Sequence, residues 1–182
     1  MAEFVRVRIG YIEDGNYREH FEINGMIEGQ YKVYRNWKLV MVSNYINDKI
    51  NGLEISEFKN IKEIKNYVNN VLNGEVRYYR QPDKLMSIAN YKNGKLNGYF
   101  VEYNTNETLR KKGNYIDGVL NGPYENYNIY GKITFKCNYV DGKYDGEFIQ
   151  YKKGRRVSTT IYTNGIYNDE LTKQYRSKKK FI

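Results

Sequence analysis

The stretch Tyr115-Ile116-Asp117-Gly118-Val119-Leu120-Asn121-Gly122-Pro123-Tyr124-Glu125-Asn126-Tyr127 decides how this chain is read. Its neighbours repeat it. Tyr91-Lys92-Asn93-Gly94 continues through Gly98 to Tyr103, and Tyr139-Val140-Asp141-Gly142 continues through Gly146 to Tyr151. The leading tyrosines step by 24 residues (115 − 91 and 139 − 115). Self-similarity at a fixed period of this size marks a stacked array of small units rather than an ordinary globular core.

Weaker copies lie on both sides. Backwards, Tyr67 and Tyr45 take the leading place, and Asn24-Gly25-Met26-Ile27-Glu28-Gly29-Gln30-Tyr31 forms the earliest clear copy. Forwards, Tyr162 opens Asn164-Gly165. The first glycine place reads Gly25, Asp48, Asn70, Gly94, Gly118, Gly142, Gly165. Gly, Asn and Asp are the residues that tolerate a positive φ in a tight turn. After the second glycine comes a short aromatic strand, as in Gly146-Glu147-Phe148-Ile149-Gln150-Tyr151, then a polar turn. A return strand follows in which Ile133, Phe135, Cys137 and Tyr139 alternate with polar residues. Period-two alternation is the pattern of a strand with one packed face.

The expected fold is therefore all-β: an elongated, solenoid-like, single-layer array of about six to seven β-hairpin repeats of ~24 residues. Each hairpin is expected to join the next by the Asn-Gly-x-x-Asn-Gly loop. Residues 1–19 read as N-terminal capping strands, 20–175 as one repeat domain, and 176–182 as a basic tail or cap. The aromatics two and five places after the second glycine should face opposite sides of a regular strand. Either a bulge intervenes or both faces are partly covered.

The motif at Tyr115–Tyr127 and its neighbours resembles the MORN repeat family, closer to its variant bacterial and giant-virus type than to the Trp-rich form. The match is strong over Tyr91–Tyr151 and poor over Ile50–Tyr67, where Glu57-Phe58 replaces the closing tyrosine. The resemblance implies a twisted sheet of stacked hairpins without catalytic activity. It also implies roles in scaffolding, dimerisation and, in some members, contact with membrane lipid; some bacterial members carry an antitoxin-like label. Its structural residues map onto Tyr91, Gly94, Gly98, Tyr103, Tyr115, Gly118, Gly122, Tyr127, Tyr139, Gly142, Gly146 and Tyr151.

The formal net charge is +9. Basic residues cluster at Arg110-Lys111-Lys112, at Lys152-Lys153-Gly154-Arg155-Arg156, and at Lys178-Lys179-Lys180. Aligned along one edge, they would form a stripe attractive to phosphates or anionic headgroups; the bland alternative is that turns are solvated and lysine solvates them. Single-stranded nucleic acid is disfavoured, because the regular spacing assigns the tyrosines to core ladders first. No stretch approaches the ~20 apolar residues of a membrane span, and the opening Met1-Ala2-Glu3-Phe4 lacks a secretory signal pattern. One cysteine allows no internal disulfide. These features point to a cytoplasmic location, the host cytoplasm if the source is viral. Heavy use of Asn, Lys, Ile and Tyr suggests an AT-rich genome.

Candidate chemistry is sparse. His20 is the only histidine and Cys137 the only cysteine, about five repeats apart, which leaves no catalytic pair and no zinc site. Asp117 and Asp141 recur once per repeat, so they read as turn formers rather than calcium ligands. No phosphate loop or dinucleotide fingerprint is present, and no cofactor is expected. The sequence therefore reads as a non-enzymatic module for protein contact or homodimerisation, with anionic-membrane binding or antitoxin-like inhibition of a partner as alternatives.

Overall fold

The computed structural model describes residues 3–80 and 82–178, with side chains to Lys173. It is all-β but for one terminal helix. Among the described residues eighteen antiparallel strands follow one another, and they form two compact units, Met1–Lys95 and Leu96–Ile182. The first unit holds β1 (Val5–Tyr11), β2 (Asn16–Ile23), β3 (Met26–Arg35), β4 (Lys38–Ile46), β5 (Lys49–Phe58), β6 (Ile61–Val68), β7 (Val71–Leu72), β8 (Gly74–Arg80) and β9 (Lys84–Lys92). The second holds β10 (Lys95–Tyr103), β11 (Leu109–Ile116), β12 (Val119–Leu120), β13 (Gly122–Tyr127), β14 (Ile133–Val140), β15 (Lys143–Tyr144), β16 (Gly146–Lys152), β17 (Arg155–Thr163), β18 (Ile166–Tyr167) and α1 (Asp169–Lys178).

The segment between repeats is more ordered than a loop. Asp117 (φ 49°) and Gly118 (φ 87°) form a two-residue turn with both φ positive, the turn whose twist matches that of the flanking strands. It folds β12 back on β11, pairing Ile116 with Val119 and Tyr115 with Leu120. The same turn recurs at Asn24-Gly25, Asn47-Asp48, Asn69-Asn70, Asn93-Gly94, Asp141-Gly142 and Asn164-Gly165. Each unit is thus a continuous meander, closed by a hairpin at both ends of every strand pair.

The turns also bond to one another. Asp48 N donates to Ile27 O, Asn70 N to Ile50 O, Gly94 N to Leu72 O, Gly118 N to Leu96 O, Gly142 N to Leu120 O and Gly165 N to Tyr144 O, all at 2.8–3.1 Å. Where glycine is replaced, the new side chain answers with a second bond. Asp48 Oδ1 accepts from Ile27 N and Asn70 Oδ1 from Ile50 N, both at 2.6 Å. The third polar position of the motif reaches the next turn as well: Asn97 Nδ2 donates to Asp117, and Asn121 Nδ2 to Asp141, each at 3.1 Å.

A wide bulge separates each short arm from the strand after it. Tyr115 faces Leu120, yet Lys112 faces Glu125, so two extra residues are taken up around Asn121-Gly122. Asn121 N closes the bulge on Asn114 O at 3.0 Å. Gly122 sits at φ +101° with the Asn114 side chain beside it. Beyond this bulge β13 keeps one register with β14 as far as Asn126, and the register shifts again between Asn126 and Tyr127. Tyr124 pairs with Cys137 and Asn126 with Phe135 on one face, while Glu125 pairs with Lys136 on the other. Both faces are partly covered: Tyr124 and Tyr127 are half-buried on opposite sides, and Tyr127 donates its hydroxyl to Glu125.

The tyrosine face carries a continuous aromatic ladder in the second unit. Phe100–Tyr115, Tyr124–Tyr139, Phe135–Phe148, Tyr144–Tyr162 and Phe148–Tyr162 lie 4.9–6.0 Å apart, within the range of favourable ring pairs. In the first unit the ladder changes character. Glu54 stands where the other repeats place Tyr31, Val76, Phe100, Tyr124 and Phe148. It is buried, accepts from Ser43 Oγ at 3.1 Å, and lies across the ladder from Lys65, which pairs with Glu63.

At the C-terminal end the repeat stops early. Residues 169–175, expected within the array, are helical. Asn168 caps α1, its Oδ1 accepting from Leu171 N at 3.0 Å. The buried Thr172 Oγ1 accepts from Ile161 N at 2.9 Å and ties α1 to β17.

The two glycine places carry different constraints. Gly118→Asn keeps the turn type already built by Asn69-Asn70, and its urea midpoint should stay within experimental error of the parent. Gly122→Ala forces a side chain into a backbone shape that only glycine adopts freely, and should cost about 1–3 kcal/mol, read as a lower midpoint.

Candidate functional site

The first basic cluster is divided between the two faces of the sheet. Lys111 and Lys112 are neighbours in β11, so their side chains leave opposite faces. Each of the three cations there has a carboxylate: Arg110 and Lys111 reach Glu102 at 3.5 and 2.8 Å, and Lys112 reaches Glu125 at 3.0 Å. The bond from Glu125 raises the Lys112 pKa, against the opposing effect of burial. Between this cluster and the next lies the β13–β14 hairpin tip, with Ile129, Tyr130 and Lys132 exposed. Arg156 donates to Thr159 Oγ1 at 2.7 Å and approaches Glu147. Lys152, Lys153 and Arg155 are exposed around a hairpin turn, with no carboxylate partner among the described residues. Lys179 and Lys180 lie outside the described residues, and of Lys178 only the backbone, at the end of α1, is described.

His20 and Cys137 both lie in packed surroundings. His20 is buried, its Nε2 2.9 Å from Glu22 and its ring stacked on Tyr31. Cys137 faces the aromatic ladder, and burial pushes its thiol up to about 12. Among the described residues no cluster of His, Cys, Asp and Glu is placed to hold a metal ion, and no helix is long and apolar enough to cross a membrane.

The site that departs from the repeat's own rules is at the hairpin tips of the first unit. The β3–β4 turn is Asn36-Trp37, with φ 48° and 64°. Other tips put Lys59-Asn60 or Lys153-Gly154 there. A bulky residue in this left-handed region is a conformational outlier, costing about 1–2 kcal/mol. The neighbouring tip holds it in place. Trp37 N donates to Gly15 O at 3.0 Å, and Asn36 N to Asn16 Oδ1 at 3.2 Å. Gly15 leaves no room for a side chain, since a Cβ would lie 2.6 Å from the indole. The indole meets Tyr17 edge-on at 6.2 Å, Tyr17 stacks on Tyr34 at 4.5 Å, and Arg8 sits over Tyr17 at 5.7 Å. The tryptophan stays 63% exposed despite these contacts. Tyr11 and Phe58, at the flanking tips, are exposed too.

Beside this patch, Glu19 accepts from Arg6 and Arg8 at 2.7 and 2.9 Å. Burial alone would raise its pKa, but the two guanidinium groups overcome that and hold the carboxyl below its ordinary range. Two cations share one anion, so the patch keeps excess positive charge. A Trp, two Tyr and an Arg in contact form the composition typical of the few residues that carry binding energy at protein interfaces. The signal for this patch is local. Trp37 occupies the second place of a two-residue hairpin turn, where Gly or Asn is the rule.

No family model matches this chain, and no curated protein matches it.

Two measurements follow from these environments. The Cys137 thiol should resist alkylation in the folded protein at pH 8 and react fully in urea. Because the Glu19 pKa is lower folded than unfolded, its contribution is present above the unfolded carboxylate pKa and is lost as pH falls through the folded value. Glu19→Gln should therefore flatten the acid limb of the melting-temperature profile.

Proposed function

We propose that the protein is a MORN-type hairpin array acting as a non-enzymatic interaction module, and that it takes a partner protein on the Trp37 patch of the first unit. The observation that carries this reading is the tryptophan itself. A strained backbone conformation that displays a large apolar ring to solvent lowers stability and needs a compensating use. The backbone ladder beneath it holds the ring in one position before binding, which reduces the ordering cost of association. The cations around it favour an acidic rim on the partner and disfavour self-pairing of two like patches. The partner is accordingly a protein with an apolar socket edged by carboxylates. Inhibition of that partner is one use such contact would serve.

A second reading draws support from the other unit. The exposed Ile129-Tyr130 tip lies beside the exposed cations Lys152, Lys153 and Arg155, a combination suited to an anionic membrane surface. On that reading, vesicles containing phosphatidylserine sediment the protein at low salt and release it at high salt, and reversal of those three charges abolishes the effect.

Trp37 is the sole tryptophan, so fluorescence excited at the red edge, where tyrosine does not absorb, reports on this patch alone. Capture of a partner should shift its emission to the blue. Trp37→Gly should keep or raise the melting temperature, because glycine relieves the turn, while weakening capture at least tenfold. Capture of the same partner with unchanged affinity by Trp37→Gly would overturn the proposal. Light scattering on the free protein separates the remaining outcome: a stable dimer, disrupted by Trp37→Gly, would make a second copy the partner.

A further inference from the structure

We propose that the tip of the β5–β6 hairpin is a binding site for an aromatic ring bearing a carboxylate or a phosphate. This site does not depend on the Trp37 reading and uses different side chains. A cavity of about 450 Å³ opens on the tyrosine face, lined by Ser56, Phe58, Lys59, Ile61 and Glu63. That volume falls in the range of small-molecule sites. Its walls are mainly apolar, with the Phe58 ring and Ile61 paired across the hairpin.

The charges around the cavity select the ligand's sign. Two cations share the Phe58 ring: Arg35 Cζ lies 5.3 Å from its centroid and Lys59 Nζ 5.4 Å. Neither has a carboxylate partner among the described residues, and both are exposed. One aromatic face stabilises a cation only modestly, so both cations keep most of their attraction for an anion brought to the ring. The one acid in the lining does not reverse this preference, because Glu63 is already paired with Lys65. Phe58 remains 57% exposed, so its ring has surface left for an aromatic ligand, and the Ser56 hydroxyl adds a donor. A ring with an attached anion uses all of these features together. A bare anion leaves the apolar wall unused, and an aromatic cation meets Arg35 and Lys59 as like charges.

The test is a titration of the full chain followed by amide NMR, with phenyl phosphate, benzoate, inorganic phosphate and benzylammonium as separate probes. The expected result is saturable shifts confined to residues around 35 and 56–63 with phenyl phosphate and benzoate. Inorganic phosphate should bind at least tenfold more weakly, and benzylammonium should not bind. Arg35→Gln and Lys59→Gln should each weaken phenyl phosphate about tenfold, and Phe58→Ala should remove the advantage of phenyl phosphate over inorganic phosphate, with the remaining spectrum unchanged. Equal binding of phosphate and phenyl phosphate, equal binding of benzylammonium, or shifts spread over lysines throughout the chain would overturn the proposal. N-acetyl phosphotyrosine amide distinguishes the source. Affinity matching phenyl phosphate assigns the aryl anion to a peptide side chain, and a tenfold loss assigns it to a free ligand.

Discussion

The hydrogen bond from the second residue of each turn to the carbonyl two residues beyond the previous turn governs this structure. It is repeated from Asp48–Ile27 to Gly165–Tyr144 with little change in length. One such bond is worth only about 1 kcal/mol net, but its geometric effect is larger. It fixes the register of each hairpin against the last, and a shift of one residue would send every side chain to the wrong face. The tyrosine ladder and the bulge both depend on that register.

The ladder also explains which substitutions the repeat accepts. Asp48 and Asn70 replace glycine and add a side-chain bond to the carbonyl bond already present, so these copies compensate for their less permissive backbone. Lys65, the one charged residue in a place otherwise held by Ser43, Ala89, Gly113, Cys137 and Thr160, has its reason across the sheet. It opposes Glu54, the one charged residue in the aromatic place. The two exceptions are a single exchange of an apolar pair for a polar one, joined to Ser43 and Glu63. Polar groups buried in this way must be mutually satisfied, which is why the departures occur together.

Function on such a scaffold falls to the positions that the ladder does not need. The hairpin tips opposite the Asn-Gly turns are free to vary, and they do: Asn36-Trp37, Lys59-Asn60, Ile129-Tyr130 and Lys153-Gly154 share little chemistry. The Trp37 patch gains its rigidity from its neighbours, through Gly15 O and Asn16 Oδ1. The cavity beside Phe58 arises where two cations are brought to one ring from separate hairpins.

The sequence by itself determined the strand class, the period and the turn positions, because these follow from local chemistry: alternation of apolar residues, and Gly, Asn or Asp where φ is positive. It left open whether a bulge or partial cover on both faces accommodates the aromatics two and five places after the second glycine, and the structure shows a register shift between them. Only the tertiary structure decided that the Asn-Gly segments are two-residue turns bonded to each other, that Asn121-Gly122 is a bulge, and that Asp169–Lys178 is a helix. It likewise separated Lys111 from Lys112 and paired Arg110, Lys111 and Lys112 with Glu102 and Glu125, so the run of cations in sequence became ion pairs on two faces. Each of these depends on which residue lies across the sheet, and cross-strand partners 8 to 13 residues away in sequence carry no signature in the local pattern.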